Sequence, residues 1–124
     1  MLKVPALLTY TNSAQLSIAA SAWNNVTSLT LTPGAWIVSG FTHCSLPSAF
    51  QVYLEITTGS THDYTNVICG AYTYYNAANT PDLGCTGVMR VTSNTPVYLW
   101  IYGNKAITIA AGFINMRAMQ VGTV

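Results

Sequence analysis

Apolar and polar residues alternate with a period of two along most of this chain, which is the pattern of β-strands rather than of helices. Turn-forming residues such as Pro33-Gly34 separate the alternating stretches and recur roughly every 8–12 residues, as in β-sandwiches. Eight stretches are predicted as strands: Gln15–Ile18, Val26–Leu31, Ala35–Cys44, Phe50–Thr57, Asn66–Tyr74, Gly87–Thr92, Val97–Tyr102 and Ile107–Gln120. We therefore expect an all-β domain, either a jelly-roll β-sandwich of about eight antiparallel strands or a barrel.

The last two predicted strands carry apolar residues on both faces. In Val97–Tyr102 aliphatic residues alternate with aromatic ones, and Ile107–Gln120 repeats this two-sided pattern. A two-layer sandwich buries only the inward face of each strand, so a second apolar face indicates contact with another surface. We expect a neighbouring subunit there; the alternative is that the N-terminal segment covers these strands. The predicted interface residues are Tyr98, Trp100, Tyr102, Ile114, Met116 and Arg117.

Residues 1–22 differ in character from the rest of the chain. The segment has no charge after Lys3, is interrupted by Pro5, and contains only a short strand pattern. We predict an extended N-terminal arm over residues 1–22, which adds to a sheet edge or lies on a partner, and a sandwich domain over residues 23–124. Because Pro5 breaks the apolar run, a signal peptide is not expected, and the chain is expected to fold in the cytosol where it is made.

Charge is scarce in this sequence. Only 6% of the residues are charged and 51% are hydrophobic, whereas about a quarter of an ordinary soluble domain is charged. The net charge is +1 and the four Lys and Arg residues are scattered, so nucleic acid is not an expected partner. No stretch approaches the roughly 20 consecutive apolar residues of a membrane helix, and no membrane partner is expected.

Three segments of the chain carry a distinctive pattern: V-T-S-L-T-L-T-P-G-A-W-I-V-S-G at residues 26–40, T-P-V-Y-L-W-I-Y at 95–102 and G-F-I-N-M-R-A-M-Q-V-G at 112–122. These segments resemble small β domains of tailed-phage virion proteins. Those domains are similar in plan to the trimeric C1q/TNF-like jelly roll, and the resemblance spans roughly residues 15–122. It implies a homotrimer, a turn at Gly34 and close packing at Gly40. It also implies a core that includes Leu29, Leu31, Trp36 and Val38.

The chain departs from this pattern at two places. A basic pair after the last strand is reduced to Arg117, and an acidic residue beside Trp36 is replaced by Ala35 or Ile37. Arg117 is therefore either a solvent-exposed residue or an interfacial one that pairs with Glu55 or Asp82 of a neighbouring subunit, since a desolvated guanidinium needs a partner.

A tyrosine-rich stretch is the best candidate for binding another molecule. Tyrosine offers a large contact area with a polar tip, and asparagine adds adaptable hydrogen bonds. The predicted partner-binding loop comprises Tyr72, Tyr74, Tyr75, Asn76 and Asn79. The alternative is that these rings fill a subunit contact or cover an edge of the sandwich.

No catalytic centre, metal site or cofactor is predicted. The close spacing of structural zinc ligands is absent from the set His43, Cys44, His62 and Cys69. A trimer could still place three copies of His43 or His62 around its axis. His62-Asp63 beside Ser60 lacks the context of a nucleophilic triad. The three cysteines are expected to be free and mostly buried, while a Cys69–Cys85 disulfide stays open as an alternative.

These observations favour a structural virion protein, most concretely a trimeric capsid decoration or cement protein assembled in the host cytoplasm. Its expected partners are its own copies and the major capsid protein or another virion protein, with the N-terminal arm gripping the lattice. The alternative is a receptor-binding tip of a tail fibre or spike that recognises a host surface glycan or protein.

Overall fold

The computed structural model describes residues 6–46 and 48–123, and it is built almost entirely of strands. The chain forms β1 (Leu7–Thr11), β2 (Leu16–Ile18), β3 (Asn24–Leu31), β4 (Gly34–His43), β5 (Phe50–Thr57), β6 (Val67–Tyr75), β7 (Asp82–Val91), β8 (Thr95–Gly103), β9 (Ile107–Ile109) and β10 (Ile114–Gly122). A single turn of 3₁₀-helix, Tyr64–Asn66, precedes β6. In these described ranges no helix has the length and apolar character needed to span a bilayer.

Two antiparallel four-stranded sheets form the layers of the sandwich. Sheet I has the order β1-β10-β4-β7 and sheet II the order β3-β8-β5-β6, while β2 and β9 form a short separate pair. From β3 onward the chain passes repeatedly from one sheet to the other, as a jelly roll requires. The prediction of an all-β jelly-roll sandwich is therefore confirmed.

The core lies between the sheets and uses the inward face of every long strand. Strand β4 contributes Trp36 and Val38, which are fully buried, and the indole Nε1 of Trp36 donates to the carbonyl of Thr32 at 2.8 Å. Leu31 is fully buried as well, whereas Leu29 is half-buried against the core. Gly40 lets the sheets approach closely, because a Cβ at this position would lie 2.9 Å from Leu99 Cδ1.

The chain breaks the predicted strand Ile107–Gln120 into β9 and β10. Between them a turn carries Gly112 at φ 85° and a hydrogen bond from the Phe113 N–H to the Ala110 carbonyl at 3.2 Å. The turn resets the alternation, so that Ile107 and Ile109 before it and Ile114, Met116 and Ala118 after it all face inward. Ile114 and Met116 are 0% exposed within one protomer. Their prediction as trimer-interface residues is therefore wrong.

The described part of residues 1–22 is built into the sandwich. Strand β1 is the edge strand of sheet I, pairing Leu7–Thr11 with β10, and Leu16–Ile18 pairs with β9. Leu8, Tyr10 and Leu16 pack against the core, and Ile18 belongs to it. A boundary between an arm at 1–22 and a domain at 23–124 does not match this structure, because the segment supplies both backbone pairing and core side chains. Lys3 and Pro5 lie outside the described residues.

Candidate binding surface

The outer face of sheet II carries a cluster of aromatic side chains. Alternation along β5 turns Leu54 and Ile56 into the core and leaves Tyr53 and Glu55 on the outside. The register then sets Tyr53 opposite Tyr72 on one neighbouring strand and opposite Tyr102 on the other. We call this surface the aromatic face; it comprises Trp23, Tyr53, Glu55, His62, Tyr64, Tyr72 and Tyr102.

A buried contact between His62 and Glu55 fixes the loop before β6 onto this face. His62 Nε2 lies 2.7 Å from Glu55 Oε1, and the two side chains are only 6% and 11% exposed. The Trp23 ring stacks on the His62 ring with centroids 3.6 Å apart and an interplanar angle of 6°. The His62 and Trp100 rings also meet edge to face, with centroids 5.8 Å apart. Because a buried carboxylate needs a partner, the bond to Glu55 and the contacts with the two indoles hold His62 at a defined position.

Asp63 fixes the same loop from its exposed side. Its Oδ1 accepts hydrogen bonds from the backbone N–H and the hydroxyl of Thr65, each at 2.9 Å. These bonds cap the 3₁₀ turn Tyr64–Asn66 and hold the pKa of Asp63 below its usual range. Tyr64, the first residue of that turn, is placed with its ring 6.1 Å from that of Trp23, edge to face.

Two shallow pockets open on the aromatic face, one on each side of Tyr53. The first has a volume of about 200 Å³ and is lined by Trp23, Gln51, Tyr53, Tyr64 and Tyr102. The second has a volume of about 150 Å³ and is lined by Tyr53, Glu55, Gly70, Ala71 and Tyr72. Their walls combine the faces of aromatic rings with hydroxyl, amide and carboxylate groups, a mixture suited to small polar ligands that also have apolar surface.

The structure places the five residues of the predicted partner-binding loop in different environments. Tyr72 and Tyr74 project from the outer face of β6 and are 52% and 55% exposed. Tyr75 points the other way and packs against the core. Asn76 is exposed in the following loop, and the backbone of Asn79 is bonded to Leu46 in both directions, at 2.7 and 3.0 Å.

The sequence prediction missed the residues that complete the aromatic face. These residues come from three separate segments, which contain Trp23, the pair Tyr53 and Glu55, and His62. No local sequence motif therefore joins them. The alternation of Phe50–Thr57 was the available signal, because it places Tyr53 and Glu55 together on the face opposite the aliphatic residues.

The predicted trimer-interface residues lie on different faces of the sandwich. Tyr98, Trp100 and Tyr102 belong to the outer face of sheet II, where Trp100 is only 6% exposed and donates its Nε1 proton to Thr57 Oγ1 at 2.8 Å. Arg117 is exposed on the outer face of sheet I. A pairing of Arg117 with Glu55 of a neighbouring subunit does not fit this structure, because Glu55 is buried and already paired with His62.

The outer face of sheet I carries a continuous apolar row. The strand registers align Leu7 with Met119, Met119 with Ile37, and Ile37 with Val88, so the row crosses all four strands. Leu7 is 60% exposed, Met119 44% and Val88 71%. We call these four residues the apolar row. Directly beside it runs a polar row formed by Thr9, Arg117, Ser39 and Thr86.

His43 and His62 lie in separate parts of the structure. His43 Nδ1 contacts Asp82 Oδ1 at 2.5 Å where β4 pairs with β7, and its ring meets the Phe113 ring edge to face. His62 lies on the outer face of sheet II. Across the part of the chain that the structure describes, no three His, Cys, Asp or Glu side chains converge as metal ligands would.

Cys69 and Cys85 meet where the edges of the two sheets approach each other. Cys69 lies on β6 in sheet II and Cys85 on β7 in sheet I, and their Sγ atoms are 3.0 Å apart as free thiols. The hydrogen bond donated by Cys69 lowers the pKa of Cys85, and the same bond together with burial raises the pKa of Cys69. Cys44 is apart from this pair, and burial together with the charge of Asp82 raises its pKa to about 11.

Oxidised glutathione is expected to convert this thiol pair into a disulfide. Each thiol loses a proton and an electron, and one oxidised glutathione is reduced to two glutathione thiols. Closing a loop of this length stabilises a fold by about 3 kcal/mol, so the melting temperature should rise by roughly 10 °C. Intact-mass measurement should show the loss of two hydrogens. Cys44→Ser should show the same rise in melting temperature on oxidation as the parent chain. If Cys69→Ser shows that rise as well, the assignment of the disulfide to Cys69 and Cys85 is contradicted.

A superposition on a solved TNF structure agrees with this architecture. Eiger TNF from S. frugiperda superposes with a TM-score of 0.61 over 98% of this chain and 96% of that chain, at 5% sequence identity. VP2 of infectious bursal disease virus, from its subviral particle, gives a TM-score of 0.46 over 96% of this chain and 42% of that chain, at 11% identity. No protein family and no curated protein matches the chain by sequence. The established conclusion is therefore one of fold: the chain is a jelly-roll sandwich with the TNF-like arrangement of strands.

Proposed function

We propose that this chain is a structural protein of a virus particle that assembles as a homotrimer through the outer face of sheet I. The observation that carries the proposal is the apolar row, which crosses all four strands of that sheet and remains exposed in a single protomer. Exposed apolar side chains aligned in this way are typical of a surface that a partner covers. The scarcity of charge over the whole chain, 6% of residues, points to the same conclusion.

A second copy of the chain is the occupant that fits this face best. Arg117 is the only charged residue in the two central rows of the face, so this face and a neighbouring edge of the next copy around a threefold axis can meet with little charge to desolvate. Interfaces of obligate oligomers are richer in apolar residues than the remaining surface, which this row provides. The resemblance of residues 15–122 to tailed-phage virion domains, which are similar in plan to the trimeric C1q/TNF-like jelly roll, supports three copies rather than two.

Within the particle we propose the role of a capsid decoration protein of a tailed phage, with no catalytic activity and no cofactor. A trimeric knob that binds only the assembled lattice stabilises the shell by mass action. The resemblance of three segments to tailed-phage virion domains supports this assignment. Since β1 and β2 belong to the sandwich, the contact with the lattice is not assigned to a free arm over the described part of residues 1–22.

Light scattering and imaging of the assembled particle test the proposal together. The purified chain should have a mass of about 40 kDa, three times its 13.3 kDa. Particles imaged with and without the protein should differ by trimeric density on the capsid surface. A stable monomer, or density confined to the tail, would overturn the decoration role.

A receptor-binding tip is the second candidate function. The aromatic face favours it, because exposed tyrosines and two pockets on a rigid sheet are the kind of surface that recognises a ligand. Density at the distal end of a tail fibre would support this candidate.

A further inference from the structure

We propose that the two pockets beside Tyr53 form one binding site for a neutral oligosaccharide, with one sugar residue in each pocket. The proposal names a ligand class for the receptor-binding function described above, and it rests on that function. It is independent of the apolar row, because it lies on the opposite sheet.

The two pockets are adjacent, as compartments for a chain of linked sugars must be. Tyr53 lines both of them and so lies at their common boundary. The Tyr72 ring lies beside it with centroids 4.5 Å apart, and the Tyr102 ring lies on its other side at 5.8 Å. The C–H faces of pyranose rings pack on exposed aromatic rings, and the tyrosine hydroxyls at the rim can bond to sugar hydroxyls.

Glu55 supplies a fixed acceptor at the second pocket. Its Oε1 is paired with His62, and no hydrogen bond among the described residues uses Oε2. No fully buried side-chain oxygen in that part of the chain lacks a partner, so Oε2 retains some contact with solvent although the side chain is only 11% exposed, and the residue lines the second pocket. A carboxylate oxygen at the surface of a pocket is a strong acceptor for a sugar hydroxyl.

The charge of the site favours a neutral ligand. Glu55 is the one charged residue that lines either pocket, and His62 already pairs with it. An anionic sugar would place its charge beside this carboxylate, and a cationic ligand would compete with His62 for it. A hydroxyl group can bond to Oε2 without disturbing the pair.

The site is also held in place before a ligand arrives. The stacking of Trp23 on His62, the Glu55–His62 pair and the cap at Asp63 fix the loop that forms one wall. A wall that is already ordered costs little entropy on binding, so a shallow site can still bind measurably.

A glycan array of neutral, sialylated and amino sugars, followed by calorimetric titration with the strongest neutral oligosaccharide, tests the proposal. Tyr72→Ala should weaken binding at least tenfold, because it removes one wall of the second pocket. Tyr74→Ala is the matched control: although the sequence prediction grouped Tyr74 with Tyr72, in the structure it lines neither pocket, and it lies on the same strand and face with similar exposure. It should leave the affinity unchanged.

Gly70→Ala tests the second pocket without removing any existing group. A Cβ at Gly70 would lie 3.0 Å from Glu55 Cγ and 3.3 Å from the carbonyl oxygen of Leu54, so it would narrow the space above the carboxylate. Binding should again fall at least tenfold, while circular dichroism and the melting curve confirm that each variant is folded.

Several results would overturn the carbohydrate site. These are no binding of any neutral oligosaccharide at millimolar concentration, a preference for sialylated glycans, saturable binding of tetramethylammonium chloride in place of sugars, or equal losses in Tyr72→Ala and Tyr74→Ala. Light scattering on the same samples separates the two proposals, because a trimer that binds no sugar contradicts only the site.

Discussion

Replacing Asn12 with alanine is expected to lower the free energy of unfolding by about 2–4 kcal/mol, because its amide satisfies several backbone groups at once. Asn12 is only 3% exposed. Its Nδ2 donates to the carbonyls of Ala14 at 3.0 Å and Ala110 at 2.9 Å. Its Oδ1 accepts from the N–H groups of Gly112 at 3.0 Å and Ile114 at 3.1 Å. Alanine would leave the buried N–H of Ile114 without this partner.

Thermal unfolding followed by circular dichroism measures this effect. For a domain of this size such a loss should lower the melting temperature by roughly 10 °C or more. Asn25→Ala is the matched control, since Asn25 is exposed and its amide donates only to Thr27 and Leu99, each at 3.2 Å. We expect it to cost less than about 1 kcal/mol. Equal losses in the two variants would contradict the anchoring role of Asn12.

Replacing Met119 with aspartate is expected to dissociate the proposed trimer into folded monomers. Met119 occupies a central strand of sheet I and is 44% exposed in one protomer, so the single domain can solvate a carboxylate there. In the trimer the same carboxylate would be buried among apolar side chains without a partner, which costs several kcal/mol at each contact. The association constant should therefore fall by at least about a hundredfold.

Light scattering distinguishes the two states of this variant, since a monomer has a mass of 13.3 kDa. Tyr74→Asp is the control: it introduces the same charge at an exposed aromatic position on the opposite sheet, and it should remain trimeric. If Met119→Asp stays trimeric, or if Tyr74→Asp dissociates as well, the apolar row is not the subunit contact.

The sequence predicts which residues of a single strand face inward and which face outward. This prediction was correct only where the strand is continuous in the structure. For β8 the sequence separates the two faces correctly, because Val97, Leu99 and Ile101 are all fully buried and the aromatic residues face outward. For Ile107–Gln120 the same reasoning assumed one unbroken strand. The turn at residues 110–113 shifted the alternation, so Ile114 and Met116 entered the core.

The N-terminal segment shows a second limit of local patterns. Leu7–Thr11 is a strand because its backbone pairs with β10, more than a hundred residues further along the chain. Asn12 then bonds to groups at Gly112 and Ile114. Neither residue type nor spacing in residues 1–22 shows that their pairing partners lie about a hundred residues away in the sequence. The sequence pattern therefore predicted a separate arm.

The sequence by itself predicted that this chain is all-β, because a period of two and turn chemistry are local properties of the backbone. It left a sandwich and a barrel open, and the inward position of Trp36 and Val38 was implied by the resemblance to tailed-phage virion domains. Only the tertiary structure decided which outward side chains meet. The register between strands aligned the apolar row across sheet I and gathered Trp23, Tyr53, Glu55 and His62 on sheet II. Register and layer packing depend on contacts between distant segments, and the order of residues along one strand does not contain them.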